Sequence, residues 1–268
     1  MAVLDISGTT RLLAIVADPI GHVRTPQALN RLFAERGVDA VMVPMHVPPD
    51  HLATWLAGLR TVRNLAGAVV TVPHKERAAS LCDELTPEAA AIGAVNAIRR
   101  TADGRLLGAM FDGLGLVQGL RRAGIDPAGH SALLAGAGGA ASAVAFALAG
   151  AGVARLTIAN RTAAKAEALA ARIAAAHPGV TVAAGPADPA GFSLVVNGTS
   201  LGMAAGDALP VDVDRLEAGA VAAEVIMNPA RTAFLDAAAA RGCRTHEGRH
   251  MLDAQLDLLA GFLTGPAV

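Results

Sequence analysis

The chain has 268 residues, and 53% of them are hydrophobic, which is enough for one large or two smaller folded cores. The net charge is −1, and the 22 lysines and arginines are spread along the chain, which argues against nucleic acid or an anionic membrane surface as partner. Apolar runs stay short of the ~18 residues that a membrane span needs, and the start of the chain lacks a signal-peptide pattern. We therefore expect a globular, cytoplasmic protein that acts on a small molecule as a monomer or homodimer.

Strands and helices alternate through the first part of the chain. Thr25 is predicted to cap the first helix, with Pro26 at its first helical position. Such alternation is typical of a mostly parallel sheet with helices on both faces. The predicted strands are Arg11–Val16, Val41–Val47, Ala68–Val72, Val95–Ile98 and Leu106–Met110, and the predicted helices are Thr25–Gly37 and Asp50–Thr61.

The second part of the chain begins with a helix from Asp112 and continues the alternation. The boundary between two domains is predicted near Asp112–Gly115, and the last long helix covers Met251–Leu263. The fold class is therefore α/β with two domains. The predicted strands of this part are Ser131–Ala135, Arg155–Ala159, Val180–Ala183, Leu194–Asn197 and Val221–Met227.

Glycines follow the buried strand Ser131–Ala135 and lead directly into an alanine-rich helix. Gly136, Gly138 and Ala141 fit the pattern GxGxxG/A. In that pattern the first glycine makes the turn, the second lets the backbone approach a pyrophosphate, and the small third residue lets helix pack on strand. The free N–H groups of the helix N-terminus would hold the phosphates. The segment predicts a Rossmann-type dinucleotide site.

Cofactor choice is predicted from the end of the next strand. A site for NAD carries Asp or Glu there, whereas this chain has Asn160, Arg161 and Thr162, followed by Lys165. Arg161 can pair bidentately with a 2′-phosphate, and Lys165 adds a point charge. The sequence favours NADP over NAD; the alternative is a basic cap on a surface helix.

Other chemistries lack the residues that they need. The chain contains no tyrosine, which excludes a Tyr-x-x-x-Lys mechanism, and Cys82 and Cys243 lie too far apart to suggest a disulfide or a metal pair. Residues 246–250 spell HExxH, but Gly248 weakens the continuous helix on which that zinc motif depends. We predict no metal, and a lysine or histidine that moves the proton while hydride is transferred.

Several short motifs in order give the chain its resemblance to a known family. They are VTVPHKE (70–76), GAVNAI (93–98), DGRLLG (103–108), FDGLG (111–115), GAGGAA (136–141), NRT (160–162) and GRHMLDAQ (248–255). Together they resemble the shikimate dehydrogenase family over essentially the whole chain. The resemblance implies a substrate-binding, catalytic domain at 1–112, completed by the C-terminal helix 248–268, and an NADP-binding Rossmann domain at 113–247.

The resemblance also implies roles for individual residues. Lys75 matches the catalytic lysine and Asp112 its partner aspartate, both directed at the hydroxyl that becomes a carbonyl. The residues implied to bind substrate are Thr25, Thr71, Asn96 and Gln255. The residues implied to bind or lie near the cofactor are Gly136, Ala137, Gly138, Gly139, Ala140, Asn160, Arg161, Thr162, Lys165, Asp83 and Gly248.

Some positions depart from the family's pattern. Where the family has Ser-x-Ser for the substrate carboxylate, this chain has Val23 and keeps a hydroxyl only at Thr25. Val69 replaces an asparagine, Phe111 a threonine, and Met227 a substrate-side tyrosine. Each unpaired polar group of a substrate costs ~1–3 kcal/mol. We hypothesise a weakened or altered preference for shikimate with the catalytic residues retained.

Three functions remain open at this point. The first is an NADP-dependent enzyme that interconverts shikimate and 3-dehydroshikimate or a closely related cyclic acid. The second is a divergent paralogue that acts on quinate or another polyol acid. The third is a non-catalytic sensor of NADP(H), which the retention of Lys75 and Asp112 disfavours.

Overall fold

The computed structural model describes residues 6–265. The chain forms two compact units, of which the first comprises Met1–Phe111 and Leu256–Val268 and the second Asp112–Gln255. Among the described residues, no helix is long and apolar enough to cross a membrane. In the same range, His, Cys, Asp and Glu do not gather in groups of three or more that could hold a metal ion.

Within the described residues, the first unit is built on a six-stranded sheet with four α-helices and the end of a fifth. Its strands are β1 (Arg11–Ala17), β2 (Ala40–His46), β3 (Leu65–Val70), β4 (Glu84–Leu85), β5 (Ala97–Arg100) and β6 (Leu106–Ala109). Its helices are α1 (Thr25–Arg36), α2 (Leu52–Thr61), α3 (Lys75–Ala79) and α4 (Pro87–Ile92). The strand order across the sheet is β2-β1-β3-β5-β6-β4.

This first sheet is mixed, but three of its five strand pairings are parallel, including that of β4 with β6, so the prediction of a mostly parallel sheet fails only at β5. β1 pairs in parallel with β2 and β3, but β5 runs antiparallel to β3 and to β6. Only residues 101–105 separate β5 from β6. A connection that short joins antiparallel neighbours, because a parallel pair needs a crossover of a dozen or more residues.

The first helix also starts differently from the prediction. Arg24 is the N-cap of α1, and Thr25 is its first helical residue, so the cap predicted at Thr25 is wrong by one position. Thr25 is buried, and Pro26 occupies the second helical position. A proline is tolerated there because the first N–H groups of a helix have no intrahelical acceptor. The C-terminal end of α1 agrees with the predicted end at Gly37, which caps the helix in the left-handed conformation.

The second unit is a parallel sheet covered on both faces. Its strands are β7 (Ser131–Ala135), β8 (Arg155–Ala159), β9 (Thr181–Ala184), β10 (Leu194–Asn197), β11 (Val221–Glu224) and β12 (Arg244–His246). Its helices are α5 (Asp112–Arg122), α6 (Gly139–Gly150), α7 (Ala163–Ala176) and α8 (Ala233–Ala240). The strand order is β12-β11-β10-β7-β8-β9, and every pairing is parallel.

β7 shows why this sheet needs cover on both sides. Ala132 and Leu134 pack into the core beneath α5, α6 and α7, whereas Leu133 and Ala135 pack into a second core with Phe234 of α8. A strand buried on both faces has a continuous apolar sequence, as Ala132–Ala135 has. The prediction missed α8 and β12, of which β12 has only three residues and so shows no periodicity.

The last helix, α9 (Arg249–Thr264), begins two residues before the predicted start. His246 ends β12 and His250 lies in α9, so the HExxH letters span a strand end and a helix start. Cys82 and Cys243 are free thiols. Burial raises the pKa of Cys82 to about 12, with Asp83 adding to the shift, so this thiol is unreactive at neutral pH.

Candidate active site

The glycine turn after β7 has the geometry of a phosphate-binding loop. Gly136 has a φ of +113°, a conformation that side chains other than glycine rarely adopt. A Cβ on Gly136 would lie 2.9 Å from the carbonyl oxygen of Gly198, so the turn also passes against neighbouring backbone. The first glycine of the pattern therefore performs two tasks, the turn and a close backbone contact.

The next glycines leave room for a ligand. Gly138 is the N-cap of α6, and a Cβ built on it would meet no atom of the described chain within 4 Å. As a glycine, this N-cap residue has no side chain with which to accept the first N–H groups of the helix. An open position at the N-terminus of a twelve-residue helix fits the pyrophosphate of a dinucleotide.

The residues after β8 supply the polar and basic side chains of this site. Asn160 shapes the loop, because its Nδ2 donates a hydrogen bond to the carbonyl of Thr162 at 2.9 Å. Arg161 and Thr162 are exposed, and Lys165 is exposed in the first turn of α7. An exposed guanidinium and ammonium beside a dinucleotide turn match the charge of a 2′-phosphate.

Thr71 and Lys75 lie together in the first unit, where the chain leaves β3. The N–H of Thr71 donates to the carbonyl of Val16, and its own carbonyl accepts from the N–H of His74 at 2.8 Å. His74 is 1% exposed and its Nε2 lies 2.8 Å from the carbonyl oxygen of Val47. His74 thereby anchors the start of α3, at whose first position Lys75 is half-buried.

Asn96 holds the end of the first unit's sheet. It is 3% exposed, and its Oδ1 accepts the N–H of Phe111 at 2.9 Å. Its backbone N–H donates to the carbonyl of Ala109. The side chain therefore fixes the backbone one residue before Asp112.

Asp112 and Gln255 are brought together in the second unit. Both are 3% exposed, and Gln255 Nε2 lies 3.4 Å from Asp112 Oδ1, a long hydrogen bond. Glycine at 115 makes this approach possible, since a Cβ there would come 2.5 Å from the carbonyl oxygen of Met251 and 3.2 Å from Gln255 Cβ. The two residues lie on α5 and α9.

Two residues predicted near the cofactor have structural contacts of their own. Asp83 lies in the first unit, where its carboxylate accepts hydrogen bonds from the guanidinium of Arg60 and from the backbone N–H of Leu106. These two hydrogen bonds lower the pKa of Asp83, and the one from Arg60 has the larger effect. Gly248 is buried in the second unit, and a Cβ on it would lie 2.2 Å from the carbonyl oxygen of Ile226.

His22 is a residue of this region that the sequence analysis missed. It is partly buried, and burial lowers its pKa, opposed by a hydrogen bond to the backbone of Pro19. The positive charges of Arg24 and Lys75 lower that pKa further, which places His22 within electrostatic reach of Lys75. The only sequence signal was its place one residue before Val23.

A parallel sheet with a glycine turn at a helix N-terminus and nearby basic side chains defines the class, a Rossmann-type dinucleotide-binding α/β protein. The shikimate dehydrogenase substrate binding domain matches residues 15–98, and shikimate / quinate 5-dehydrogenase matches residues 121–182. The chain belongs to the shikimate dehydrogenase family. This confirms the predicted family, the α/β fold and the class of NADP-dependent oxidoreductase.

Named relatives cover nearly the whole chain. The NADP(+) shikimate dehydrogenase of Rubrobacter xylanophilus is 42% identical, over 94% of this chain and 90% of its own. Shikimate 5-dehydrogenase from Thermus thermophilus, solved with NADP(H) and shikimate, is 32% identical and has a TM-score of 0.85, covering 96% of this chain and 94% of its own. The 5-ketofructose reductase of Gluconobacter sp. strain CHM43 is also 32% identical, with a TM-score of 0.82 and coverages of 98% and 95%.

Proposed function

We propose that this chain catalyses the NADP-dependent interconversion of shikimate and 3-dehydroshikimate. The observation that carries the proposal is the likeness to the Thermus thermophilus enzyme, solved with NADP(H) and shikimate, over 96% of this chain. The open glycine turn and the exposed Arg161 support NADP as the cofactor. Lys75 and Asp112 stand at the family's catalytic positions.

The mechanism needs one proton to move as hydride is exchanged with a substrate carbon. NADP, when bound, supplies the nicotinamide that accepts or returns the hydride. In the oxidation direction, Lys75 Nζ takes the proton of the reacting hydroxyl, and in reduction it returns that proton. Asp112 orients the hydroxyl, and Gln255 holds the Asp112 carboxylate through the hydrogen bond between them.

The remaining site residues bind substrate or cofactor in this proposal. Thr71, Asn96 and Gln255 bind ring hydroxyls, and Thr25 binds the carboxylate. The cofactor lies on Gly136, Ala137, Gly138, Gly139 and Ala140, beside Asn160, Arg161, Thr162 and Lys165, with Asp83 and Gly248 nearby. The substrate domain is 1–112 with 248–268, and the cofactor domain is 113–247.

In this proposal the protein works in the cytoplasm as a monomer or homodimer. It has no nucleic acid partner.

The proposal is tested by following NADP reduction with shikimate at 340 nm, a wavelength at which NADPH absorbs and NADP does not. We expect turnover by the wild type and at least a ~100-fold lower kcat for Lys75→Ala, since general acid–base groups contribute factors of about 10² to 10⁴. Arg77→Ala, an exposed change in the same helix α3, is the matched control and should retain activity. NADP binding with no oxidation of shikimate would contradict the proposal.

A second candidate is a dehydrogenase for a related polyol or keto-polyol without the shikimate carboxylate. It is favoured by the packing of three departures from the family pattern, because Val23, Val69 and Phe111 all contact one apolar core of the first unit. Val23 and Val69 are 8% and 5% exposed. Phe111 also packs edge to face on Phe262, with ring centroids 5.5 Å apart.

A substrate panel separates the two candidates. Shikimate and quinate are oxidised with NADP, and 5-ketofructose is reduced with NADPH, all at equal concentrations; the keto-sugar is included because a neighbour of similar fold is named for it. Faster turnover of the keto-sugar than of shikimate would favour the second candidate, whereas faster turnover of quinate would favour a paralogue that acts on another polyol acid. Lys75→Ala should abolish turnover of whichever substrate is used, because the proton step is common to all of them.

A further inference from the structure

A buried polar network lies beside the glycine turn of the second unit. Its centre is Glu224, the last residue of β11, which is 0% exposed. Glu224 Oε1 accepts hydrogen bonds from Asn197 Nδ2 at 2.9 Å and from Thr232 Oγ1 at 2.8 Å, and Oε2 accepts the N–H of Ile226 at 3.3 Å. Three donors from three segments thus converge on one carboxyl group.

Asn197 connects Glu224 to the loop after β10 through hydrogen bonds. Its Nδ2 also donates to the carbonyl of Leu201 at 2.9 Å, and its Oδ1 accepts the N–H and the hydroxyl of Thr199 at 3.0 Å and 2.7 Å. The Thr199 hydroxyl in turn accepts the N–H of Leu201 at 3.0 Å. The conformation of residues 198–201 therefore depends on the orientation of the Asn197 side chain, which Glu224 fixes.

This loop packs directly against the glycine turn. A Cβ on Gly136 would lie 2.9 Å from the carbonyl oxygen of Gly198 and 3.2 Å from Thr199 Cγ2. The network has a second arm, the hydrogen bond from Ile226 to Glu224. A Cβ on Gly248 would lie only 2.2 Å from the carbonyl oxygen of Ile226. Both arms therefore end at backbone that touches a glycine of the proposed cofactor site.

The burial of Glu224 has an energetic cost that the network offsets. Burial raises the pKa of the Glu224 carboxyl, while the hydrogen bonds from Asn197 and Thr232 oppose that rise. An apolar residue at the end of β11 would avoid the desolvation of a carboxyl group altogether. Unlike an apolar residue, Glu224 fixes the orientation of three hydrogen-bond donors at the edge of the sheet where the parallel strands end.

We propose that Glu224 is a positioning residue for the dinucleotide. Through Asn197 and Ile226 it holds the two backbone segments that pack against Gly136 and Gly248, and it thereby sets the affinity of the chain for NADP(H). The inference rests on the NADP site of the proposed function and is independent of which substrate the enzyme oxidises.

Glu224→Gln is the first test, because either orientation of the amide turns its NH2 group towards at least one of the three donors. NADPH binding is measured by titration calorimetry without substrate, and amide hydrogen exchange is measured on the cofactor-free protein. We expect the Kd for NADPH to rise at least ~5-fold and exchange in residues 198–202 to accelerate. With the oxidisable substrate, kcat at saturating NADP should stay within about twofold, so that the loss falls on KM.

Asp214→Asn is the matched control. Asp214 precedes β11, and its side chain is 90% exposed. This change also converts a carboxylate to an amide, but it should leave the Kd for NADPH and the exchange of residues 198–202 at wild-type values. An effect equal to that of Glu224→Gln would overturn the proposal.

Thr232 gives a second test that does not depend on the folding of Glu224→Gln. Thr232→Ser keeps the hydroxyl that donates to Glu224 and caps α8, whereas Thr232→Val removes it. We expect Thr232→Val to weaken NADPH binding at least ~3-fold and Thr232→Ser to stay within about twofold of wild type. A purely structural role would lower the melting temperature of these variants and leave the Kd unchanged, and that result overturns the proposal. Absence of shikimate turnover would overturn the proposed function alone, since these Kd values require no substrate.

Discussion

At the residue scale, we propose that Arg161 discriminates between NADP and NAD. It is exposed just after β8, next to the loop that Asn160 shapes. Removing a guanidinium from a phosphate loses charge-assisted hydrogen bonds of about 1.5–3 kcal/mol. We expect Arg161→Ala to raise the KM for NADP at least ~10-fold and to change the KM for NAD less than ~3-fold. Steady-state kinetics with both cofactors measure the two values.

The control for Arg161 is another arginine of the same region. Arg172 lies in α7 with its guanidinium carbon 5.7 Å from the centre of the Phe146 ring. Arg172→Ala removes the same charge from the unit and should leave the KM ratio for the two cofactors unchanged. Equal effects on NADP and NAD in Arg161→Ala would mean that Arg161 does not contact the 2′-phosphate.

Residues with a local signal were predictable from the sequence, and those that act through contacts in the fold were not. Gly136 and Arg161 follow buried strands at the spacing that a dinucleotide site requires. Glu224 lies within an apolar run, and nothing in that run indicates that Asn197 and Thr232 donate hydrogen bonds to it. The partners are 27 and 8 residues away in the chain, so only the fold brings them together.

At the scale of the element, the turn between β7 and α6 offers a pair of matched substitutions. Gly138→Ala places a methyl group in open space at an ordinary φ of −86°, so we expect normal stability and at least ~10-fold weaker NADP binding, because the methyl group occupies room needed by the phosphates. Gly136→Ala meets a φ of +113° and the carbonyl of Gly198, so it should destabilise the fold itself. Thermal melts and NADPH titrations of both variants distinguish the two effects. Normal NADP binding by Gly138→Ala would show that the phosphates do not lie on this turn.

The strands of the second unit were easier to predict than those of the first. Arg155–Ala159 and Leu194–Asn197 agree with the prediction at both ends, because buried parallel strands are bounded apolar runs. β4 and β12, of two and three residues, are too short to show any periodicity. The direction of β5 depends on the length of its connection to β6 rather than on its own residues.

The whole molecule is expected to lose stability in mild acid, and His246 is one cause. His246 is 2% exposed at the end of β12, and burial lowers its pKa from 6.5 to about 4, with His250 and Arg244 adding to the shift. Because the folded pKa lies below the unfolded one, the unfolded chain binds this proton more readily. The free energy of unfolding therefore falls as the pH drops from 6.5 to about 4, by at most about 3 kcal/mol from this group.

The acid effect is measured by urea unfolding between pH of about 7.5 and about 4.5, on the wild type and His246→Phe. The single tryptophan, Trp55, lies in the first unit, so circular dichroism is the better probe of the second. Because the pKa of Glu224 is raised, this group makes the folded protein more stable as the pH falls, opposite to His246. The quantity to compare is therefore the difference in free energy of unfolding between the wild type and His246→Phe at each pH. His51→Gln, an exposed change, serves as control. Parallel pH profiles for wild type and His246→Phe would exclude His246 as a cause.

The route of the chain through its two units fixes the order in which they can be completed during synthesis. The second unit is one continuous stretch, Asp112–Gln255, whereas the core of the first includes Leu259, Ala260 and Leu263 from the end of α9. A ribosome therefore delivers every residue of the second unit while the first still lacks part of its core. The segment that is synthesised first therefore belongs to the unit whose core is the last to be complete.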